Sequence, residues 1–149
     1  VIKSVARATP MATTNWYNMY LKSSSDYESN PYSSSTSVIS SMIWGSQYDA
    51  TLNYLLTGSD KTKVTLRTGN HSGTRSITGE YPNDIMNNIF DLSSNVREWT
   101  VEANSSAYRT YRGGYYGTDD TGTAVGRYSN RYPTVTNNVI GSRLTLYIK

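Results

Sequence analysis

The chain has 149 residues, enough for one domain with a real core, and its zero cysteines and single histidine remove disulfide frameworks and most thiolate or imidazole metal chemistry. The net charge of +3 is scattered, with only 17% charged residues, so it reads as solubility rather than as a nucleic-acid footprint. No run of about 18 apolar residues and no charged n-region with an apolar stretch is present, so this segment neither spans a membrane nor contains a signal peptide. With Val1 in place of Met, a processed, trimmed or excised segment is expected. One domain over residues 1–149 is expected, the C-terminal part of a longer chain.

In chain order, Thr13 and Thr14 precede a helix over Asn15 to Lys22, with Trp16, Tyr17, Met19, Tyr20 and Leu21 crowding one side. Ser23 to Ser37 is a low-complexity Ser, Asp, Asn and Pro stretch, too polar to pack, and is expected to be a mobile loop. Val38, Ile39, Met42, Ile43 and Trp44 return the chain to the core. Ser46 with Asp49 has the form of a capping box, and Tyr48, Leu52, Leu55 and Leu56 recur at helical spacing until Thr57 and Gly58 end the run.

Ser59 to Asn88 is rich in turn residues, with Val64 to Leu66 as its one candidate strand. Short strands follow at Ile89 to Leu92, Val96 to Val101, Tyr108 to Arg112 and Leu144 to Ile148, separated by Gly, Asn, Asp and Ser. Helices first and strands later, with long irregular connections, predict an α+β class. Connections this long ordinarily weigh against a compact domain unless they form a functional surface.

Tyrosine outnumbers phenylalanine by 14 to 1. Each buried phenol needs a hydrogen-bond partner, so many of these rings are expected at a surface. Rigid Tyr contacts mixed with adaptable Ser, Asn and Gly are what antibody-type paratopes use. A tyrosine-rich sheet exterior has the same composition, and position along the chain must separate the two.

The segment Ile89-Phe90-Asp91-Leu92-Ser93-Ser94-Asn95-Val96-Arg97-Glu98-Trp99-Thr100 resembles the N-x-x-GNVWEWT signature of the formylglycine-generating enzyme and sulfatase-modifying-factor family. Arg112-Gly113-Gly114-Tyr115 resembles its RGGSW, Arg127 to Arg131 its R-x-x-x-R, and Ile140-Gly141-Ser142-Arg143 its IGFR, all in the family's order. Trp16 and the Trp44 to Leu55 segment resemble its helices more loosely. The resemblance covers nearly the whole chain and implies a C-type lectin fold in that family's variant: two helices on a small twisted, mainly antiparallel sheet with long irregular loops.

The copper-binding cysteine pair of the formylglycine-generating enzymes and the histidines of the related iron-dependent sulfoxide synthases are missing here. Neither chemistry carries over, so no catalytic residue, metal or cofactor is assigned and the chain is read as a non-enzyme. Asp91 with Glu98 suggests a calcium site, but the family's ligand-rich upstream loop does not match. Within the same fold the residues are also similar to the variable proteins of diversity-generating retroelements. Their RGG and G-x-R motifs flank a hypervariable ligand-binding segment rich in Tyr, Asn, Asp, Ser, Thr and Gly.

Tyr115 to Val139 has that composition and lies between those motifs. The expected ligand-binding residues are Tyr116, Thr118, Asp119, Asp120, Thr121, Tyr128, Asn130, Tyr132, Thr134, Thr136 and Asn137, facing solvent together. An ordinary solvated loop would carry more Lys and Glu and fewer Tyr. Trp99 is expected in the core against both helices, Glu98 on an arginine or loop amides, and Arg112, Arg127, Arg131 and Arg143 on loop carbonyls rather than on an anion. His71 is expected at the surface, and the sequons Asn70-His71-Ser72 and Asn104-Ser105-Ser106 are weak signals.

The expected partner is a protein or glycan receptor met outside the cell, on a cell surface, a fibre or a virion, without nucleic acid or direct membrane insertion. Oligomeric state is not legible. The competing reading is a catalytically dead family member with a structural or assembly role.

Overall fold

Helix α1 spans Trp16–Ser23. Its cap is Asn15 rather than the two threonines, and the Asn15 Oδ1 accepts from the Asn18 N–H at 2.9 Å. Trp16, Met19 and Ser23 form the buried side, at the spacing of one helical face. Tyr17, Tyr20 and Leu21 do not join it and stand 51%, 46% and 53% exposed. The structure, a computed structural model, describes residues 6–118 and 122–149.

The polar stretch after α1 is a loop, as expected, with most of its residues exposed, but it is anchored at one buried residue. Asn30 is buried, donates to the Lys22 and Ser23 carbonyls at 3.0 and 3.2 Å, and accepts from Tyr32 N and Ser40 Oγ. One satisfied amide thus does the organising work that apolar residues do elsewhere. Strand β1, Val38–Met42, follows and leads into α2, Gly45–Thr57. The reciprocal half of the capping arrangement comes from Gln47, whose Oε1 accepts from Trp44 N at 2.9 Å, so Ser46 and Asp49 are not the box.

The candidate strand at Val64 is instead a short helix, α3, over Lys61–Thr65. Val64 is fully buried there, and Lys63 reaches back to Asp60 at 2.9 Å, one helical turn away. Tertiary burial overrides the β preference of valine.

A 3-10 turn at Pro82–Asp84 precedes the β2 (Ile85–Met86) and β3 (Ile89–Phe90) hairpin. The remaining strands are β4 (Arg97–Ala103), β5 (Arg109–Arg112), β6 (Arg127–Arg131), β7 (Ile140–Ser142) and β8 (Leu144–Ile148). The main sheet has the order β6-β5-β4-β7, with β4 and β7 parallel and the other pairs antiparallel. β1 pairs antiparallel with β8, from Val38 opposite Ile148 to Met42 opposite Leu144. The simple order of helices before strands therefore fails at β1, although the mixed α+β class holds.

Two apolar clusters form the core. Trp99 and Tyr111 pack with Trp16, Met19, Met42 and Ile140, while Tyr48, Leu52 and Leu55 of α2 pack with Val64, Met86 and Leu92. Trp99 is fully buried in the cluster that holds Trp16 and Met19 of α1, whereas Tyr48, Leu52 and Leu55 of α2 belong to the other cluster. No helix among the described residues is long and apolar enough to cross a membrane.

Candidate functional site

The residues of the sequence motifs build a polar frame. Arg112 of β5 forms a two-pronged pair with Glu102 of β4, at 2.8 and 3.0 Å, and reaches Asp49 of α2 at 3.1 Å. Arg127 joins the same carboxylate at 3.2 Å. Arg143 holds Glu98, with Nε 3.1 Å from Oε2, and also donates to the Phe90 carbonyl at 2.8 Å. Carboxylates, more than the expected loop carbonyls, are the partners of these arginines, in the fork geometry that guanidinium favours. Glu98 meets an arginine, as expected.

The loop joining β3 to β4 is shaped by buried carboxylates. Asp84 accepts from Ser93 N at 3.1 Å, Ser94 Oγ at 2.6 Å and Thr68 Oγ1 at 3.4 Å. Burial nonetheless pushes its carboxyl up to about 7. Asp91 accepts from Gly79 N and from the Asn95 amide at 3.0 Å, and burial raises its carboxyl too. Asp91 and Glu98 thus hold separate protein donors, and no three metal-ligating side chains converge among the described residues. Sequence reading missed Asp84, because nothing in Pro82-Asn83-Asp84 signals that Ser93 and Ser94 will close over it.

The two glycines after Arg112 let the next loop lie against this one. A Cβ on Gly113, where φ is +79°, would stand 2.6 Å from the Leu92 carbonyl oxygen, and one on Gly114 would stand 2.0 Å from that of Ser93. That close approach delivers Tyr115 and Tyr116 to the edge of the sheet.

There Tyr111, opposite Tyr128 in the β5–β6 register, stacks on it at 5.3 Å. The Arg97 guanidinium lies over both the Tyr115 and Tyr128 rings, at 4.3 Å from each centroid, and Tyr116 leans on Tyr115 at 5.6 Å. Asn130 accepts from the Tyr111 hydroxyl at 2.7 Å. Beyond β6, Tyr108 and Tyr132 form a second pair at 4.7 Å, with hydroxyls 3.2 Å apart.

Of the expected binding residues, Thr118, Asn130, Tyr132, Thr134 and Thr136 are exposed, and Tyr116, Tyr128 and Asn137 are half-buried. Asp119, Asp120 and Thr121 lie outside the described residues. Asn137 is part of the scaffold: its backbone pairs with Thr14, its carbonyl accepts from Thr13 N, and its Oδ1 accepts from Val139 N at 2.9 Å. β6 and its flanks bring Tyr128, Asn130 and Tyr132 together, and Arg97 links them to Tyr115 and Tyr116. Arg97, Tyr108 and Tyr111 were not among the expected residues, since only strand pairing sets them beside β6.

A separate cavity of about 360 Å³ between α2, β3 and β8 is lined in part by Arg143 but by none of the expected ligand-binding residues. His71 is half-buried, with Nε2 3.0 Å from the Thr68 carbonyl oxygen. The sequon asparagine Asn70 is fully buried, whereas Asn104 is exposed.

No protein-family model matches the chain, and no match is found among curated proteins. Among solved structures it is similar to Treponema denticola variable protein 1, at 16% identity and a TM-score of 0.50, over 71% of this chain and 47% of that one. The chain thus spans about half the length of that protein. The likeness is one of fold.

Proposed function

We propose that the chain is a ligand-binding domain of the kind found in the variable proteins of diversity-generating retroelements. The scaffold would be a C-type lectin fold in its formylglycine-generating-enzyme-like variant, and the binding surface the face around β6. The observation that carries this reading is the division of labour between neighbouring residues. Trp99, Arg112, Glu98 and Arg143 are turned to the core and its ion pairs, while Asn130, Tyr132, Thr134 and Thr136 stand exposed on the adjoining segment. The solved structure that the fold is similar to is that of a variable protein, which supports the same reading.

The partner would be a protein or glycan receptor met outside the cell, on a cell surface or virion. Binding, not turnover, would be the activity. The test substitutes Thr118, Tyr132, Thr134 and Thr136 with Ala or Ser and measures both melting temperature and attachment to receptor-bearing cells. Intact folding with lost attachment is the expected result; intact folding with intact attachment would refute the assignment of this face. Protein supplied with copper or iron should give no oxidation of a sulfatase-type peptide above a metal-only blank.

A further inference from the structure

The β5–β6 register sets Arg109 directly opposite Arg131, after a shift between Arg109 and Tyr111 that marks a bulge. Like charges directly opposite on neighbouring strands destabilise a sheet. Arg112, Arg127 and Arg143 each meet a carboxylate, but among the described residues Arg109 and Arg131 meet none. Arg109 is held by other means: Nη1 donates to the Ser105 and Tyr108 carbonyls at 3.4 Å, and the guanidinium lies 4.9 Å over the Trp16 ring. Arg131 is exposed.

Aromatic rings frame this uncompensated pair. Tyr132 is 52% exposed beside Tyr108, and Tyr17 and Tyr20 pack edge-on and stacked against Trp16 at 5.5 and 5.1 Å. The Trp16 N–H donates to the Pro133 carbonyl at 3.0 Å, which joins the start of α1 to the segment after β6 and makes the surface continuous. Sheets tolerate a local rule-breaking arrangement chiefly where function uses it.

We propose that Arg109 and Arg131, framed by Tyr17, Tyr20, Tyr108 and Tyr132, form the docking site for an acidic segment of a protein partner. Its Asp or Glu carboxylates would bridge the two guanidinium groups. Flanking tyrosines would shield that contact from water, the arrangement in which Arg and Tyr act as interface hot spots. A protein fits better than an acidic glycan, because the half-exposed rings are spread over α1, β5 and the β6 flank, and Trp16, the largest platform for a sugar, is buried. The inference rests on the binding-domain reading above and extends its face to α1 and β5.

The test probe is an immobilised peptide of alternating Glu and Gly, compared with its Gln counterpart and with polysialic acid. The wild-type protein is expected to prefer the Glu peptide, with affinity falling as salt rises. Combining Arg109→Gln and Arg131→Gln should weaken that binding roughly tenfold or more, while Arg75→Gln, which removes one exposed charge elsewhere, leaves it intact. Arg131→Glu should abolish binding and hold or raise the melting temperature by pairing with Arg109. Undiminished binding in the double variant, equal loss in Arg75→Gln, equal binding of the Gln peptide or preference for polysialic acid would overturn the proposal. So would a fall in melting temperature in Arg131→Glu, which would make the pair structural. Failure here is distinguishable from failure of the binding-domain reading, since substitutions at Thr118, Thr134 and Thr136 alone leave both arginines and all four framing tyrosines in place.

Discussion

Trp99 and Asp84 show how much single side chains decide in a domain with so much loop. Trp99 is fully buried, edge-on to Tyr111 at 5.6 Å, and its indole N–H has no partner among the described residues. Trp99→Ala should therefore cost about 3–5 kcal/mol in chemical denaturation. Trp99→Phe should cost much less, because it also removes an unsatisfied donor. Asp84 acts through pH. Burial pushes its carboxyl up to about 7, with the Asp91 charge adding to the effect against three hydrogen bonds that oppose it. Between the ordinary aspartate value and about 7 the folded chain keeps a proton that the unfolded chain has released. Stability from this group is therefore greatest below the ordinary aspartate range and declines as pH rises through that window. Asp84→Asn should flatten the decline; an unchanged pH slope in urea titrations would show that Asp84 is not the group responsible.

At the scale of elements, Glu102 ties β4 to β5 through Arg112, and Arg112 ties β5 to α2 through Asp49. Burial alone would raise the Glu102 carboxyl, but hydrogen bonds from Arg112 and Thr100 and the nearby Arg127 charge hold it below the usual range. Its stabilisation is present above the ordinary glutamate value and lost as pH falls through the lowered one, opposite in slope to Asp84. Glu102→Gln removes the two-pronged partner of the buried Arg112 guanidinium and leaves it only the exposed Asp49, so it should cost about 1–3 kcal/mol at neutral pH. The loss should shrink in acid, as denaturation at the two pH values would reveal.

For the whole molecule, the pairing of β1 with β8 joins residues 38–42 to residues 144–148, and the proposed binding face is built on β6, an edge strand of the other sheet. Scaffold and face meet at Tyr128, which packs against the Trp99 cluster and stacks on Tyr111. Tyr128→Ala should cost more than about 1 kcal/mol. Tyr132→Ala, Thr134→Ala and Thr136→Ala should each stay within about 0.5 kcal/mol, as exposed positions usually do. Thermal denaturation of the four variants would separate a residue shared by core and face from residues of the face alone. Equal losses at all four would place the whole segment in the core.

The sequence by itself determined the elements whose signals are local. The Tyr48, Leu52 and Leu55 period marks α2, Leu144–Ile148 is a strand as read, and β4 and β5 lie within two residues of their expected bounds. It also determined that a segment rich in Tyr and Thr lies between Arg112 and Gly141. Tertiary structure alone decided that Val64 sits in a helix, that Asn30 orders a polar loop, that Tyr17 and Tyr20 face outward, and that Arg109 meets Arg131. The reason is range. Caps and periodicity depend on neighbours within one or two turns, whereas register, burial and the charge environment of a carboxylate such as Asp84 depend on groups that only the folded chain brings together.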